Sequence, residues 1–474
     1  MKKLNNKIQG YLSLISAILI NLLNGNLLTF SNLIPYYQSY LYYKHDENEK
    51  ISAIQLYFLV PIGVFVQQFC PTFMGIIDKK LGIRILTIFT VISLYISHII
   101  IYFSIEYYLL IISYIFYGFA LSCTYYQTVK NCWQFFPEKK DLMTGIIFSS
   151  FGLGSFAFTS IADEMINPDN SQKEGKYYSK EIAYNFLTFV KFEMFSIIIL
   201  GAIACILSFP YVEEKKINNE NENRDENKNN ENKNKDENKN EELMIKKEKS
   251  IPLKKMIFSL EFTKCLAIAG CTQIFGYLLT NTYRNFGIEK KLDENGMHIL
   301  SKVFTLLNTF GRIVWGIICN KFKFKIPYLI IIINQIICGG LIYFSAEKIY
   351  TFFIVACFGV LSYSGHIVLF PSLIHSKFGV ENSVILLGIC GIFVGIAALI
   401  GPLLTFFVKE LEDYLITYLV GVAPSIVSLL LTIFIKTERI SYIDEEIKIT
   451  IDEIDKRESD KLTDGLFEEN NNND

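Results

Sequence analysis

The chain has 474 residues, 51% of them hydrophobic and 15% aromatic, with a formal net charge of -2. Apolar runs of about eighteen or more residues recur along it, each long enough to cross ~30 Å of hydrocarbon, which excludes a soluble globular enzyme. Lysines are interleaved with acids, and no basic, aromatic-laced surface stands apart from the apolar runs, which excludes a nucleic-acid partner. Of the ten cysteines, Cys70, Cys123, Cys205, Cys265, Cys271, Cys319, Cys338, Cys357 and Cys390 fall within or at the ends of apolar runs. None shows a CxxC or metal-ligand spacing, so they read as small buried hydrophobes, and no metal or cofactor is expected.

About ten residues precede the first run and no small-residue cleavage site follows it, so the first span is expected to act as its own uncleaved signal. Apolar runs then predict twelve spans near 11–41, 53–77, 84–104, 107–127, 142–162, 184–209, 262–283, 296–319, 326–345, 350–374, 383–408 and 414–435. Between the sixth and seventh lies NNENENRDENKNNENKNKDENKN (218–240), which carries nothing that could form a core and is expected to stay disordered. The expected organisation is a cytosolic N-terminus (1–10), a six-helix bundle (11–210), a cytosolic linker (211–256), a second six-helix bundle (257–436) and an acidic cytosolic tail (437–474). The expected fold class is therefore an all-α integral membrane protein, with twelve transmembrane helices in two six-helix bundles. Lys79, Lys80, Arg84, Lys130, Lys139, Lys140, Lys321, Lys323 and Lys325 crowd the short connections on one side, which places both termini in the cytosol.

The two halves echo each other. GIIDKKLGIR (75–84) ends the second span and GIICNKFKFK (316–325) ends the eighth. Gly145 and Gly152 of the fifth span match Gly388 and Gly395 of the eleventh at the same spacing. Such correspondences argue for internal duplication and for a central site between the halves.

The eighth span places Arg312 deep in an apolar helix, where a charge costs at least ~2.5–3.5 kcal/mol. Asn308 lies one turn earlier on the same face, while Gly311 and Gly316 remove bulk and let a helix or a ligand approach. Either Arg312 pairs with a neighbouring helix as glue, or it waits for an anion. Other polar residues at depth carry the same double reading. Asn21, Asn24, Gly25, Asn26, Ser31 and Asn32 interrupt the first span and either line a route or knit it to a neighbour, with Pro35 expected to kink or end the helix. Tyr125, Tyr126 and Gln127 form an aromatic wall or an interface anchor. His366 is a titratable cavity residue or a satisfied interior histidine. Lys191 and Glu193 are expected to snorkel to the outer surface, and Lys302 sits near an outer end. In the turn after the second span, Asp78, Lys79, Gly82 and Arg84 form either a latch or a solvated hairpin. No phosphate loop, zinc spacing or nucleophile–histidine pair supports an enzyme.

The Gly75…Asp78-Lys79-Lys80-Leu81-Gly82…Arg84 turn, with the twelve-span layout, resembles the major facilitator superfamily. Trp133-Gln-Phe-Phe-Pro137, Gly145…Gly152-Leu-Gly154, Asn308-Thr-Phe-Gly311-Arg312…Trp315-Gly316 and Gly388…Gly395…Gly401-Pro402 are similar to its oxalate/formate antiporter and monocarboxylate transporter branch. That resemblance implies that Arg312 binds a substrate carboxylate. Asn308 stands where that branch often carries an aspartate, and residues 383–408 hold no lysine or arginine to anchor a second carboxylate. The implied function is alternating-access transport, secondary active or facilitative, of a small monocarboxylate such as pyruvate, lactate or formate. Arg312, Asn308, Asn24, Asn26, Ser31, Tyr125, Tyr126 and His366 would line the site, and Asp78, Lys79, Gly82 and Arg84 the gate. Expected partners are a small organic anion, the bilayer and, if transport is proton-coupled, protons carried by His366. The protein would act as a monomer in the plasma membrane, an organelle membrane being the alternative. A transporter for an amino acid, vitamin or sugar, and a non-transporting sensor or scaffold, are the alternative readings.

Overall fold

In lipid every backbone N–H and C=O must be satisfied within the chain, so apolar runs that are rich in β-branched residues become helices here. The structure, a computed structural model, describes residues 5–47, 50–169, 171–173, 175–212, 252–411 and 414–435. The stretch 218–240 and the tail 437–474 lie outside the described residues, as do the side chains of Ser31 and 401–413.

Helix α1 (Asn6–Lys44) is capped by Asn5, whose side chain accepts from the Lys7 amide at 2.9 Å. It continues through Pro35, where the sequence reading expects a kink or an end, and Ser39 returns its hydroxyl to the Pro35 carbonyl at 2.8 Å. The second span is not one rod. It is built from α2 (Ala53–Tyr57), α3 (Leu59–Phe69) and α4 (Pro71–Leu81), and the last two meet at a 49° bend. Pro71 opens α4, and its ring and missing N–H break the helical ladder there. The first half is completed by α5 (Ile83–Phe103), α6 (Tyr107–Phe135), α7 (Lys140–Ile166) and α8 (Lys180–Leu207). A short helix, α9 (Leu253–Ile257), precedes α10 (Leu260–Glu289), α11 (Glu294–Phe322), α12 (Lys325–Ser345), α13 (Ile349–Phe378), α14 (Val380–Leu411) and α15 (Tyr414–Phe434). Among the described residues eleven helices are long and apolar enough to cross a membrane, twelve when the bent pair counts as one.

The packing repeats. In the first half α1 lies against α7 and α8, α5 against α6 and α8, and α3 against α6. In the second, α10 lies against α14 and α15, α12 against α13 and α15, and α11 against α13, so each pairing has its counterpart six spans later. Leu27, Tyr37, Tyr114, Phe186 and Phe189 fill the first core, and Phe275, Phe286, Phe352 and Tyr418 the second. Phe103, Phe195, Ile206, Phe344 and Phe434 are exposed, as expected of side chains facing acyl chains.

The halves meet where α11 crosses α7 and where α14 crosses α3 and α4. Both crossings use the matched glycines. A Cβ at Gly145 would sit 2.6 Å from the Arg312 carbonyl oxygen, and one at Gly388 would collide with the Thr72 backbone. Gly75 and Gly316 repeat the relation, facing Ile385 and the Asp141 carbonyl. Small residues here let two backbones touch, which is what drives helix association in the absence of a hydrophobic force between spans. Gly388→Ala should therefore lower the thermal unfolding midpoint of the purified protein, overpacking costing ~1–3 kcal/mol. Gly340→Ala, where nothing lies within 4 Å, should leave it unchanged or raise it slightly through better helix propensity.

Candidate solute site and gate

The α7–α11 crossing carries the candidate site. Arg312 is only 4% exposed. Its Nη1 donates to the Phe148 carbonyl of α7 at 2.5 Å, its Nη2 reaches Asn308 Oδ1 only at 3.5 Å, and its buried Nε–H has no partner. Among the described residues no carboxylate lies within ion-pair distance. Instead Tyr125 of α6, Tyr277 of α10 and Tyr363 of α13 lie within electrostatic reach of the guanidinium. The Tyr277 and Tyr363 rings meet edge to face with centroids 5.7 Å apart. The Tyr125 ring packs on Phe148 at 4.9 Å and on Tyr126 at 4.8 Å, and Gln68 of α3 lies beside Tyr125 with its buried Oε1 unpartnered. Six helices from both halves thus converge on one cation rimmed by phenols and amides. Neutral dipoles of this kind suit a charge that must be held without being permanently cancelled.

The structure brings Arg312, Asn308, Tyr125 and Tyr126 together. It turns Asn24, Asn26 and His366 elsewhere. Asn24 is fully buried and faces Thr124 at 3.4 Å within the first half. Asn26 donates to Glu193 at 2.6 Å. His366 is fully buried within the second half, its Nε2 2.7 Å from Gln335 Oε1 and its ring edge-on to Tyr328. Gln335 also bonds the Thr272 carbonyl and Ser425, so this cluster knits four helices. Glu193 corrects the sequence reading: it does not snorkel outward but is 6% exposed, in the interior of the first half. Lys191 does lie at the surface, over the Tyr102 ring at 5.4 Å. Two residues apart on a helix are ~200° apart around its axis, so the two could not share a face. That spacing was the available signal. Gln68, Tyr277 and Tyr363 gave none, because an isolated polar residue in an apolar run does not declare its neighbours.

At the end bearing the α4–α5 turn the two halves are joined. Lys79 Nζ donates across to Asn382 Oδ1 of α14 at 3.0 Å, and Lys140 Nζ to His375 Nε2 of α13 at 3.0 Å, with Trp133 edge-on to that histidine. Asp78 pairs with Lys130 at 2.8 Å within the first half, and Arg84 donates to the Ser208 carbonyl at 2.9 Å while covering the Phe209 ring. Gly82 takes φ +75°, a left-handed conformation that lets α5 start directly after α4. In the second half Gly379, at φ +79°, joins α13 to α14 in the same way.

Repeated six-span packing, glycine crossings between halves and one polar centre at their meeting define a multi-pass membrane protein of two matched halves. A family model described as Major Facilitator Superfamily matches residues 14–402, and the chain belongs to that superfamily. An Escherichia coli K12 protein named "Uncharacterized MFS-type transporter YhjX" is 22% identical over 273 residues, 56% of this chain and 56% of that protein. The chain thus spans a little over half the length of this curated relative. Among solved structures, FucP in an outward conformation superposes with a TM-score of 0.63 at 13% identity, covering 91% of this chain and 100% of that one. The xylose:proton symporter XylE, bound to a bromodeoxyglucose, superposes with a TM-score of 0.63 at 12% identity, covering 92% and 98%. These likenesses are of fold.

Lys79→Ala removes one polar bridge between the halves, worth ~0.5–1.5 kcal/mol. Maleimide labelling of Cys319, buried at the same end beside Ser372, should then rise about two- to tenfold, read by peptide mass spectrometry.

Proposed function

We propose that this protein is a secondary transporter that carries a small monocarboxylate, such as pyruvate, lactate or formate, across the plasma membrane by alternating access. The observation that carries this reading is Arg312: a buried guanidinium with an unpaired Nε–H and no carboxylate in reach among the described residues. A carboxylate can take two parallel N–H bonds from such a fork and neutralise its charge. One cation neutralises one carboxylate, and 383–408 adds no lysine or arginine, so a monovalent acid suits the site better than a dicarboxylate. The relative named an MFS-type transporter and the superposed transporters support the transport part of the reading. The bridge of Lys79 to Asn382 joins the halves at the end bearing the α4–α5 turn, which the lysine distribution assigns to the cytosol. A single chain suffices for this reading.

A second reading has its own support. Phenols and amides around Arg312 also suit a neutral, hydroxyl-rich solute, and the two superposed proteins are a fucose:proton and a xylose:proton symporter. A radiolabel uptake panel in proteoliposomes, with monocarboxylates beside fucose and xylose, separates the two.

Arg312→Lys keeps the charge but loses the planar fork. Uptake of the preferred monocarboxylate should fall at least about tenfold at equal expression, matching the ~1.5–3 kcal/mol of a charge-assisted hydrogen bond. Wild-type uptake by this variant would remove the carboxylate anchor.

A further inference from the structure

One buried acid plays no part at Arg312. Glu193, on α8, is 6% exposed; its Oε1 accepts from Asn26 Nδ2 of α1 at 2.6 Å, and its Oε2 faces His98 Nε2 of α5 at 3.6 Å. His98 Nδ1 lies 2.8 Å from the Leu94 carbonyl oxygen. A carbonyl can only accept, so Nδ1 carries a hydrogen and, in a neutral ring, Nε2 presents its lone pair to the carboxyl. Two acceptors opposed in so dry a place call for a proton, either on Glu193 as a carboxylic acid or on His98 as an imidazolium. Both arrangements are neutral overall. Removing the proton strands a carboxylate, and adding a second strands an imidazolium, each without compensation. The pair therefore holds one proton.

Among the described residues no further charge faces the pair. From α1 comes only the Asn26 amide, and from α6 the phenols of Tyr114 and Tyr117, the latter ring 5.5 Å from His98. Asp163 and Glu164 of α7 are exposed, and Lys191 of α8 is turned outward. Beside the pair lies a cavity of about 20 Å³, lined by Asn26, Phe30, His98, Tyr114, Tyr117 and Glu193, with room for one water. Asn26 Oδ1 is buried without a partner, an acceptor ready for that water or for a carboxyl O–H.

We propose that Glu193 and His98 form a one-proton binding site inside the first six spans, and that its loading and emptying couples proton movement to the alternation of the two halves. The proton comes from water and returns to water; one O–H or N–H bond forms on loading and breaks on release. A contiguous path joins this site to the solute site. Asn26 neighbours Gly25, whose backbone lies against the Phe151 carbonyl and the Ser155 amide of α7, and the same helix holds Arg312 through the Phe148 carbonyl. The coupling half of the proposal rests on the transport reading; the proton site itself does not.

Infrared difference spectra of the reconstituted full chain, titrated by pH and with ring-labelled histidine, test the site without any solute. Wild type and His366→Gln should show a carboxylic-acid or imidazolium band that disappears as pH rises. Glu193→Gln should lack it, and Glu193→Asp should keep it with a displaced midpoint. Persistence in Glu193→Gln, absence from wild type, or an unmoved midpoint in Glu193→Asp overturns the site. Labelled pyruvate tests the coupling: Glu193→Gln should lose accumulation driven by a pH gradient yet keep counterflow within about threefold. Continued gradient-driven accumulation by Glu193→Gln overturns the coupling. Arg312→Lys should lose pyruvate movement while keeping the infrared band. If wild type moves no pyruvate or lactate, the anion reading falls, and the infrared titration alone decides the proton site.

Discussion

A guanidinium removed from water at the crossing of α7 and α11 must be compensated by something, and here the compensation is a backbone carbonyl and phenols rather than a carboxylate. Much of the surrounding geometry depends on that choice. The Phe148 carbonyl can reach Arg312 only because the two helices touch, and they touch because Gly145 and Gly152 present no side chain toward α11. Ser149 strengthens the same contact by donating to the Thr309 carbonyl at 2.7 Å. A permanent carboxylate would satisfy the cation more fully and leave less for a ligand, since a buried ion pair is costly to break.

The duplicated packing places a second crossing, α14 on α3 and α4, in a corresponding position. Both contacts are lined by glycine, so the backbones of the two halves approach each other closely there. The bridges at the end bearing the α4–α5 turn, Lys79 to Asn382 and Lys140 to His375, start from an exposed and a half-buried lysine. Contacts of that kind contribute little each, which suits a closure that must reopen. Within each half, by contrast, polar contacts are deeply buried and multiple, as at Gln335, which joins α12 to α10, α13 and α15.

Three buried polar centres thus have different jobs. The one at Arg312 lies between the halves. The His366–Gln335 cluster and the Glu193–His98 pair lie inside their own halves. The former is linked by direct hydrogen bonds to its neighbours. The latter opposes two acceptors beside a small cavity.

How far the sequence reached follows from what hydropathy measures. Span length and the depth of Arg312 are properties of position along the chain, so they were legible at once, as were the glycine correspondences between halves. Even the broken second span is legible in Pro71 after the fact, since the ring acts locally. The direction a side chain faces is different. It depends on the rotation of a helix about its axis and on which helix stands opposite, and neither is written in a run of apolar residues. Depth alone therefore made His366 and Asn26 look equivalent to Arg312, and it set Glu193 at the surface beside Lys191. The sequence determined a many-spanned, duplicated membrane protein with a deep arginine in its eighth span. Only the packing of α1, α5 and α8 decided that Glu193 meets His98, and only the crossing of the halves decided that Arg312 meets tyrosines instead of an acid.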